Sequence, residues 1–276
     1  MYDLRRHEHP ATHRAKPDLS LGHGADKAPE HLGRHHDRRV VQHSVRTTLG
    51  TYVLLLHTPA YLGPRPVVDA LREAVAELRA IDLTYGPGEP RSLVARLRRD
   101  EISADSYPPL ADLVDRCAAM RAATDGWFDA WAVPGGFDPS GLLVGWAAER
   151  AADRLREAGV HAYAVRAGAD LTVAGRSPRG GPWRIAVHDP AGARRHPLLL
   201  ELTSGAIGTS GVSGRRDHVY DPHTGQPARE MAATTVLGPN LSVADVYATA
   251  LFAAGPAGLD WFPTADGYQA LVTTRR

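Results

Sequence analysis

Tyr163-Ala164-Val165-Arg166-Ala167-Gly168-Ala169-Asp170-Leu171-Thr172-Val173-Ala174 is the stretch that decides the fold class. It reads as two short strands, Tyr163–Arg166 and Leu171–Ala174, separated by a tight turn. The same texture continues through Trp183–His188, Pro197–Thr203, Ala206–Thr209, His218–Tyr220, Ala233–Leu237 and a last strand, Ala270–Thr274, each bounded by turn residues. Helical patterns are grouped elsewhere. Val67–Leu83 carries Val68, Leu71, Val75, Leu78 and Ile81 at helical spacing after Pro66. Leu93–Arg99 follows Ser92 as its cap, Leu110–Thr124 stops at Gly126, Gly145–Gly159 ends on its own glycine, and Ser242–Gly255 is the last helix. Val45–His57 reads as a strand interrupted at Gly50. Consecutive strands joined by tight turns, with helices set apart, predict an α+β fold with a mostly antiparallel sheet and flanking helices, rather than a doubly wound sheet.

At 276 residues and 43% hydrophobic, the chain is long enough to bury a substantial core. Its 32 basic and 31 acidic residues nearly cancel, which gives no electrostatic case for a nucleic-acid partner. Cys117 is the only cysteine, so no disulfide framework or thiolate cluster is expected, and it reads as a buried small hydrophobe. No apolar run approaches the ~18 residues that span a bilayer, so no direct membrane insertion is expected. The first forty-odd residues hold eight of the 14 His with scattered Pro and Gly and little apolar material, and no apolar signal region follows the early Arg pair. The expected organisation is a disordered His/Arg-rich tail over 1–40, one compact domain over 41–276, and a cytoplasmic setting.

Two segments carry most of the chemistry. In Ala244-Asp245-Val246-Tyr247-Ala248-Thr249-Ala250, Asp245 and Thr249 fall four residues apart and share one helix face, offering two hard oxygen donors to an ion such as Mg²⁺. Ser242-Val243-Ala244-Asp245 equally fits a capping box, with Asp245 merely favourable in the first turn. In His218-Val219-Tyr220-Asp221-Pro222-His223-Thr224-Gly225, an imidazole at a strand end precedes a Pro- and Gly-closed turn, a setting for a base, although Asp221 also serves by bonding turn amides. Thr209, Ser210 and Gly211 supply unhindered amides and hydroxyls suited to phosphate oxygens, or an ordinary turn. Trp127, Phe128 and Asp129, and the segment from Asp138 to Trp146, set carboxylates beside Gly and aromatic residues, suited to a heterocycle or ribose or simply to a core. Ala167-Gly168-Ala169-Asp170 is a tight turn, alone or facing a ligand.

In order and spacing, these segments resemble the ApbE family of FAD:protein FMN transferases. The most specific parts are His-x-x-Asp-Pro-x-Thr-Gly at 218–225 and Ala-Asp-x-x-Ala-Thr-Ala at 244–250. The resemblance implies an ApbE-like fold and a Mg²⁺-dependent cleavage of the FAD pyrophosphate, with FMN attached to a Thr hydroxyl of a target protein and AMP released. It implies that Asp245, Thr249 and a backbone carbonyl in the Asp138–Val144 loop, that of Gly141, hold the metal. It implies that His218 takes the acceptor's proton, and that Leu49, Tyr85, Trp127, Phe128, Asp129 and Asp138 line the FAD site, with Thr209, Ser210 and Gly211 at the phosphates. FAD and a flavin-acceptor protein are thus the implied partners. The chain departs from the family where Lys usually precedes the Gly-Trp pair, here Val144, and where Gly is usual at Ala169; Leu49 stands for Met, and a customary Asn after Ser92 is missing. With no lysine beyond Lys16 and Lys27, only Arg is left to supply that cation. Two alternatives stay open beside transfer: an FAD pyrophosphatase with water as acceptor, and an FAD-binding or carrier protein with weak turnover.

Overall fold

The computed structural model describes residues 34–35, 38–59, 63–190, 196–211, 219–263 and 266–275, all within one compact unit, His31–Arg276. The segment read as a tail lies largely outside the described residues. Where it is described, strand begins earlier than Val40, at β1 (Arg34–His35) and β2 (Arg38–Arg46).

Among the described residues, eight strands form one sheet in which every neighbouring pair is antiparallel. After β1 and β2 come β3 (Thr51–Pro59), β4 (Tyr163–Ala167), β5 (Asp170–Ala174), β8 (Ser204–Gly211), β9 (Met231–Gly238) and β10 (Gln269–Thr274), in that spatial order. Between β5 and β8 the chain makes a separate hairpin, β6 (Trp183–Val187) with β7 (Leu198–Leu202). The mixed helix and antiparallel sheet expected from the sequence is thus observed. The interruption read at Gly50 is a full reversal. Thr47 and Gly50 exchange backbone hydrogen bonds of 2.8 and 3.3 Å, Gly50 takes φ +144°, and β2 pairs with β3.

The helices are α1 (Pro64–Tyr85), α2 (Leu93–Arg98), α3 (Pro108–Ala123), α4 (Ser140–Glu157) and α5 (Leu241–Ala254). Ser92 caps α2 as predicted, its hydroxyl accepting from the Ala95 amide at 3.0 Å. Two-residue alternation divides the sheet's faces. Tyr52, Leu54 and Leu56 of β3 and Tyr163, Val165 and Ala167 of β4 pack against α1 and α4, while Ala164 and Val173 form a smaller cluster with Trp183 of the β6–β7 hairpin.

One expected boundary is wrong. The Asp138–Val144 segment is not a loop: α4 begins at Ser140, five residues before the predicted Gly145. The first turn of α4 holds Ser140 and Gly141, residues of weak helix propensity, so local sequence does not mark its start. Asp138 starts the turn instead, its Oδ1 accepting from the Ser140 amide (3.0 Å) and hydroxyl (2.5 Å).

The last helix is apolar almost all round, with Leu241, Ala244, Val246, Tyr247, Ala248, Ala250, Leu251 and Phe252 buried, so it lies inside the protein rather than on it. It touches β8 with no side chain between the backbones. A Cβ built on Gly208 would lie 2.4 Å from the Asp245 nitrogen and 2.5 Å from the Ala244 carbonyl carbon. Replacing Gly208 with Ala therefore forces helix and strand apart. The expected loss is about 1–3 kcal/mol, the range for overpacking, seen as a lower urea midpoint at unchanged m; an unchanged midpoint would show that the contact is not tight.

Candidate active site

α5, β8, α4 and the 127–138 segment converge on one open cavity of about 280 Å3. Its lining includes Trp127, Phe128, Asp129, Asp138, Gly141, Thr209, Ser210, Asp245 and Thr249, so most of the residues singled out in the sequence share one space. Gly211 is in β8 but outside the lining. Leu49 and Tyr85 are also outside it. Leu49 sits in the β2–β3 turn with its amide 3.2 Å from Asp82 Oδ1, and Tyr85 packs edge-on against Trp146 with ring centroids 5.7 Å apart. His218 lies outside the described residues; the next residues, Val219 and Tyr220, line the cavity.

The capping reading of Asp245 fails. Asn240 is the N-cap of α5, Ser242 lies within the helix, and no acidic residue stands in the first turn. Asp245 lies further in, 6% exposed, and Thr249, one turn on, meets the Ser210 hydroxyl at 3.0 Å. β9 braces the same turn, Thr234 Oγ1 donating to the Ala248 carbonyl at 2.6 Å. Gly141, in the first turn of α4, approaches from the other side: a Cβ there would lie 3.6 Å from Thr249 Oγ1 and 3.2 Å from Phe128 Cε2.

Asp170 joins this group, which agrees with the ligand-facing of the two readings of its turn. It is 9% exposed, lines the cavity, and accepts from the Thr209 amide at 2.8 Å. The hairpin that presents it tolerates Ala169, because the positive φ falls on Gly168 (+61°) and not on Ala169, the type II′ pattern of a two-residue loop. A polar residue opening a strand directly after such a loop was the available signal.

The carboxylates divide into two kinds. Asp129 and Asp138 are braced from behind: Arg121 Nε donates to Asp129 Oδ2 at 2.7 Å, the Trp131 amide to Asp129 Oδ1 at 2.9 Å, and Arg98 Nη1 stands 3.7 Å from Asp138 Oδ2. Asp170 and Asp245 are buried together. Burial pushes the Asp170 carboxyl up to about 7, against a hydrogen bond from Thr209 and a weaker pull from Arg166. Burial first, then the Asp170 charge, holds the Asp245 carboxyl well above the ordinary carboxylate range, against a smaller pull from the Gly145 amide. No Lys or Arg appears among the described lining residues, and Val144 occupies part of the wall. Two desolvated acids and the Thr249 hydroxyl form a set of hard oxygens with no basic side chain among the described lining residues, which fits a divalent cation of the Mg²⁺ kind.

Across the cavity mouth, the 221–225 turn is self-contained. Asp221 accepts from the His223 amide (2.8 Å) and the Thr224 hydroxyl (2.7 Å), and Gly225 takes φ +68°. Asp221 thus bonds the turn, as its place in the sequence suggests. The His223 ring meets Trp127 edge-on, with centroids 4.5 Å apart.

The sequence pattern of the ApbE family matches residues 132–272, just over half of the chain. The FAD:protein FMN transferase of Salmonella typhimurium is 26% identical over 223 residues, covering 70% of this chain and 62% of its own length. That of Escherichia coli K12 is 31% identical over 148 residues, 50% of this chain and 42% of its own. The matches therefore span less than two thirds of these curated relatives. The solved flavin transferase ApbE from Vibrio cholerae superposes with a TM-score of 0.70 over 86% of this chain and 97% of its own, at 20% identity. The fold is shared with that structure, and the chain belongs to the ApbE family.

Proposed function

We propose that this chain is a cytoplasmic, Mg²⁺-dependent transferase that moves FMN from FAD onto a Thr hydroxyl of a target protein and releases AMP. The observation that carries the proposal is the inner carboxylate pair: a cavity of this sign admits a dinucleotide pyrophosphate only together with a cation. The names of the curated relatives support flavin transfer as the chemistry.

On this reading Asp245 and Thr249 hold the ion through their side chains and Gly141 through its carbonyl, with Asp170 adding negative charge beside them. The bound ion supplies charge neutralisation at the pyrophosphate and at the departing AMP. The chain's own residues do the rest. Trp127 and Phe128 flank the nucleotide, Asp129 and Asp138 orient its polar edges, and the Thr209 and Ser210 hydroxyls reach the phosphate region. His218 accepts the proton from the acceptor Thr as its Oγ bonds the FMN-side phosphorus and the bond from that phosphorus to the AMP oxygen breaks. Positioning and charge compensation are the main catalytic contributions.

Incubation with FAD, Mg²⁺ and a flavin-acceptor domain is expected to leave flavin fluorescence on the denatured acceptor, with AMP released. FMN plus AMP without labelled acceptor would instead establish the hydrolase that Val144 in the cavity wall motivates, and unchanged FAD a carrier. Asp245→Ala should abolish metal-dependent turnover with the circular dichroism spectrum kept. His218→Ala should keep FAD affinity within about threefold while transfer drops by roughly 10²–10⁴, the usual contribution of a positioned base; full transfer by that variant would remove His218 from the mechanism.

The inner pair also sets a pH dependence. Because its folded-state pKa values are raised, the native state retains protons that the unfolded chain gives up. The stability this confers is complete below the usual Asp range and lost as pH rises through about 7, the value reached by Asp170. Mg²⁺ competes with those protons, so its stabilising effect grows over the same window. The thermal shift on adding Mg²⁺ should be larger at pH 8 than at pH 5.5, and Asp245→Asn should remove the difference while raising the melting temperature of the metal-free protein at pH 8. Equal shifts at both pH values would count against a cation at this pair.

A further inference from the structure

We propose that Glu149, which lies outside the lining of the cavity described above, is a positioning residue for the cation site, fixing the separation and register of the two helices that supply its oxygens; this rests on the cation reading above. Gly141, Gly145 and Glu149 recur every four residues along one face of α4, and Leu241, Asp245 and Thr249 do the same along α5. The two rows meet in opposite order. Gly141 faces Thr249. Gly145 abuts the start of α5, where a Cβ would lie 2.9 Å from Ser242 Cα and 3.0 Å from the Leu241 carbonyl, and its amide pulls on Asp245. Glu149 closes the far end. Its Oε1 accepts from the Leu241 amide and from the Ser242 amide at 3.2 Å, and its Oε2 accepts from the Ser242 hydroxyl at 2.7 Å.

This arrangement caps α5 from a neighbouring helix. Asn240, the residue in the N-cap position, makes no side-chain hydrogen bond to the helix, so the first amides of α5 are held by α4 instead of by their own chain. An ordinary cap steadies a helix end but leaves the helix free to slide on its neighbours. A cap borrowed from α4 ties the axial position of Asp245 and Thr249 to that of Gly141. A slide of one residue is about 1.5 Å, far beyond the ~0.2 Å within which metal–ligand distances are held. The glycines at 141 and 145 allow the close approach, and Glu149 sets where along the helix it occurs.

The test is titration of the protein with Mn²⁺ alone, followed by the loss of the free-ion paramagnetic resonance signal, alongside thermal melts. Wild type is expected to bind Mn²⁺ and Asp245→Ala to lose it. Glu149→Ala should weaken Mn²⁺ binding by about 10- to 100-fold, the usual cost of losing a residue that orients metal ligands. Glu149→Gln should restore affinity to within about threefold of wild type, because its amide oxygen still accepts both backbone N–H groups and the Ser242 hydroxyl can turn to accept. Leu155→Ala, a buried change further along α4, should lower the melting temperature without moving the affinity. If Glu149→Ala only melts earlier and binds Mn²⁺ as wild type does, or if Glu149→Gln falls as far as Ala, the positioning role is overturned while the cation site stands. If wild type takes up no Mn²⁺, or Asp245→Ala keeps it, the cation reading falls and this inference with it.

Discussion

The close packing of α5's backbone on β8 is the constraint from which the site follows. Helices ordinarily rest on sheets through a layer of side chains. Here Gly208 removes that layer at the one point where Asp245 begins its turn. The helix can then be apolar on nearly every side, covered by the sheet, α4 and the aromatic cluster of Tyr247, Phe262 and Tyr268, and still deliver one carboxylate and one hydroxyl to a cavity. The Ser210–Thr249 and Thr234–Ala248 hydrogen bonds fasten β8 and β9 to the helix one turn further along from that contact.

A helix this apolar does not carry an acid for stability's sake. Burying Asp245 beside Asp170 costs free energy that neither a single amide nor the distant Arg166 offsets in full. The hydrophobic packing of β3, β4, α1 and α4 carries that cost, which is the usual relation between a core and a functional site built into its edge. The outer acids show the contrast. Asp129 and Asp138 have arginine neighbours and turn amides, so they are held in one orientation while still facing the cavity. Rigid, compensated acids suit recognition of hydroxyl and amide groups on a ligand; the uncompensated inner pair suits a cation.

The sequence made the strand-rich second half legible because each hairpin carries its own punctuation, as at Gly168, and because α1 and α5 repeat their apolar residues over several turns. It also made legible that Asp245 and Thr249 share a helix face, since helix spacing alone places them, whereas Leu49, Tyr85 and Gly211 fall outside the cavity lining. Three features were hidden for physical reasons. The start of α4 lies in a Ser-Gly turn whose local preferences do not favour helix, and tertiary contacts with Phe128 and Thr249 decide it. Asp170 has no periodic signal, and its burial follows from β5 pairing with β8, a contact between residues far apart in the chain. Glu149 sits in a helix rich in charged residues, where its neighbours Arg150 and Arg154 pair with Glu77 of α1 and Asp153 pairs with Arg150; only the arrival of α5 singles it out.

The two most visible departures from the family pattern are physically unequal. Ala169 replaces a glycine at a position where the backbone does not need one, because Gly168 alone takes the left-handed conformation, so the loop presenting Asp170 is kept. Val144 is different, since it stands in the cavity wall and brings no charge. Its carbonyl is engaged at long range by the Tyr52 hydroxyl, 3.4 Å away, and its neighbour Gly145 seats α5, so its backbone serves the scaffold whatever its side chain is. A valine there packs against the core while contributing no charge to the cavity wall. On the proposed reading the consequence falls on charge balance rather than on shape: more of the compensation for a bound pyrophosphate would have to come from an ion held by Asp245, which would tie ligand binding more closely to the metal.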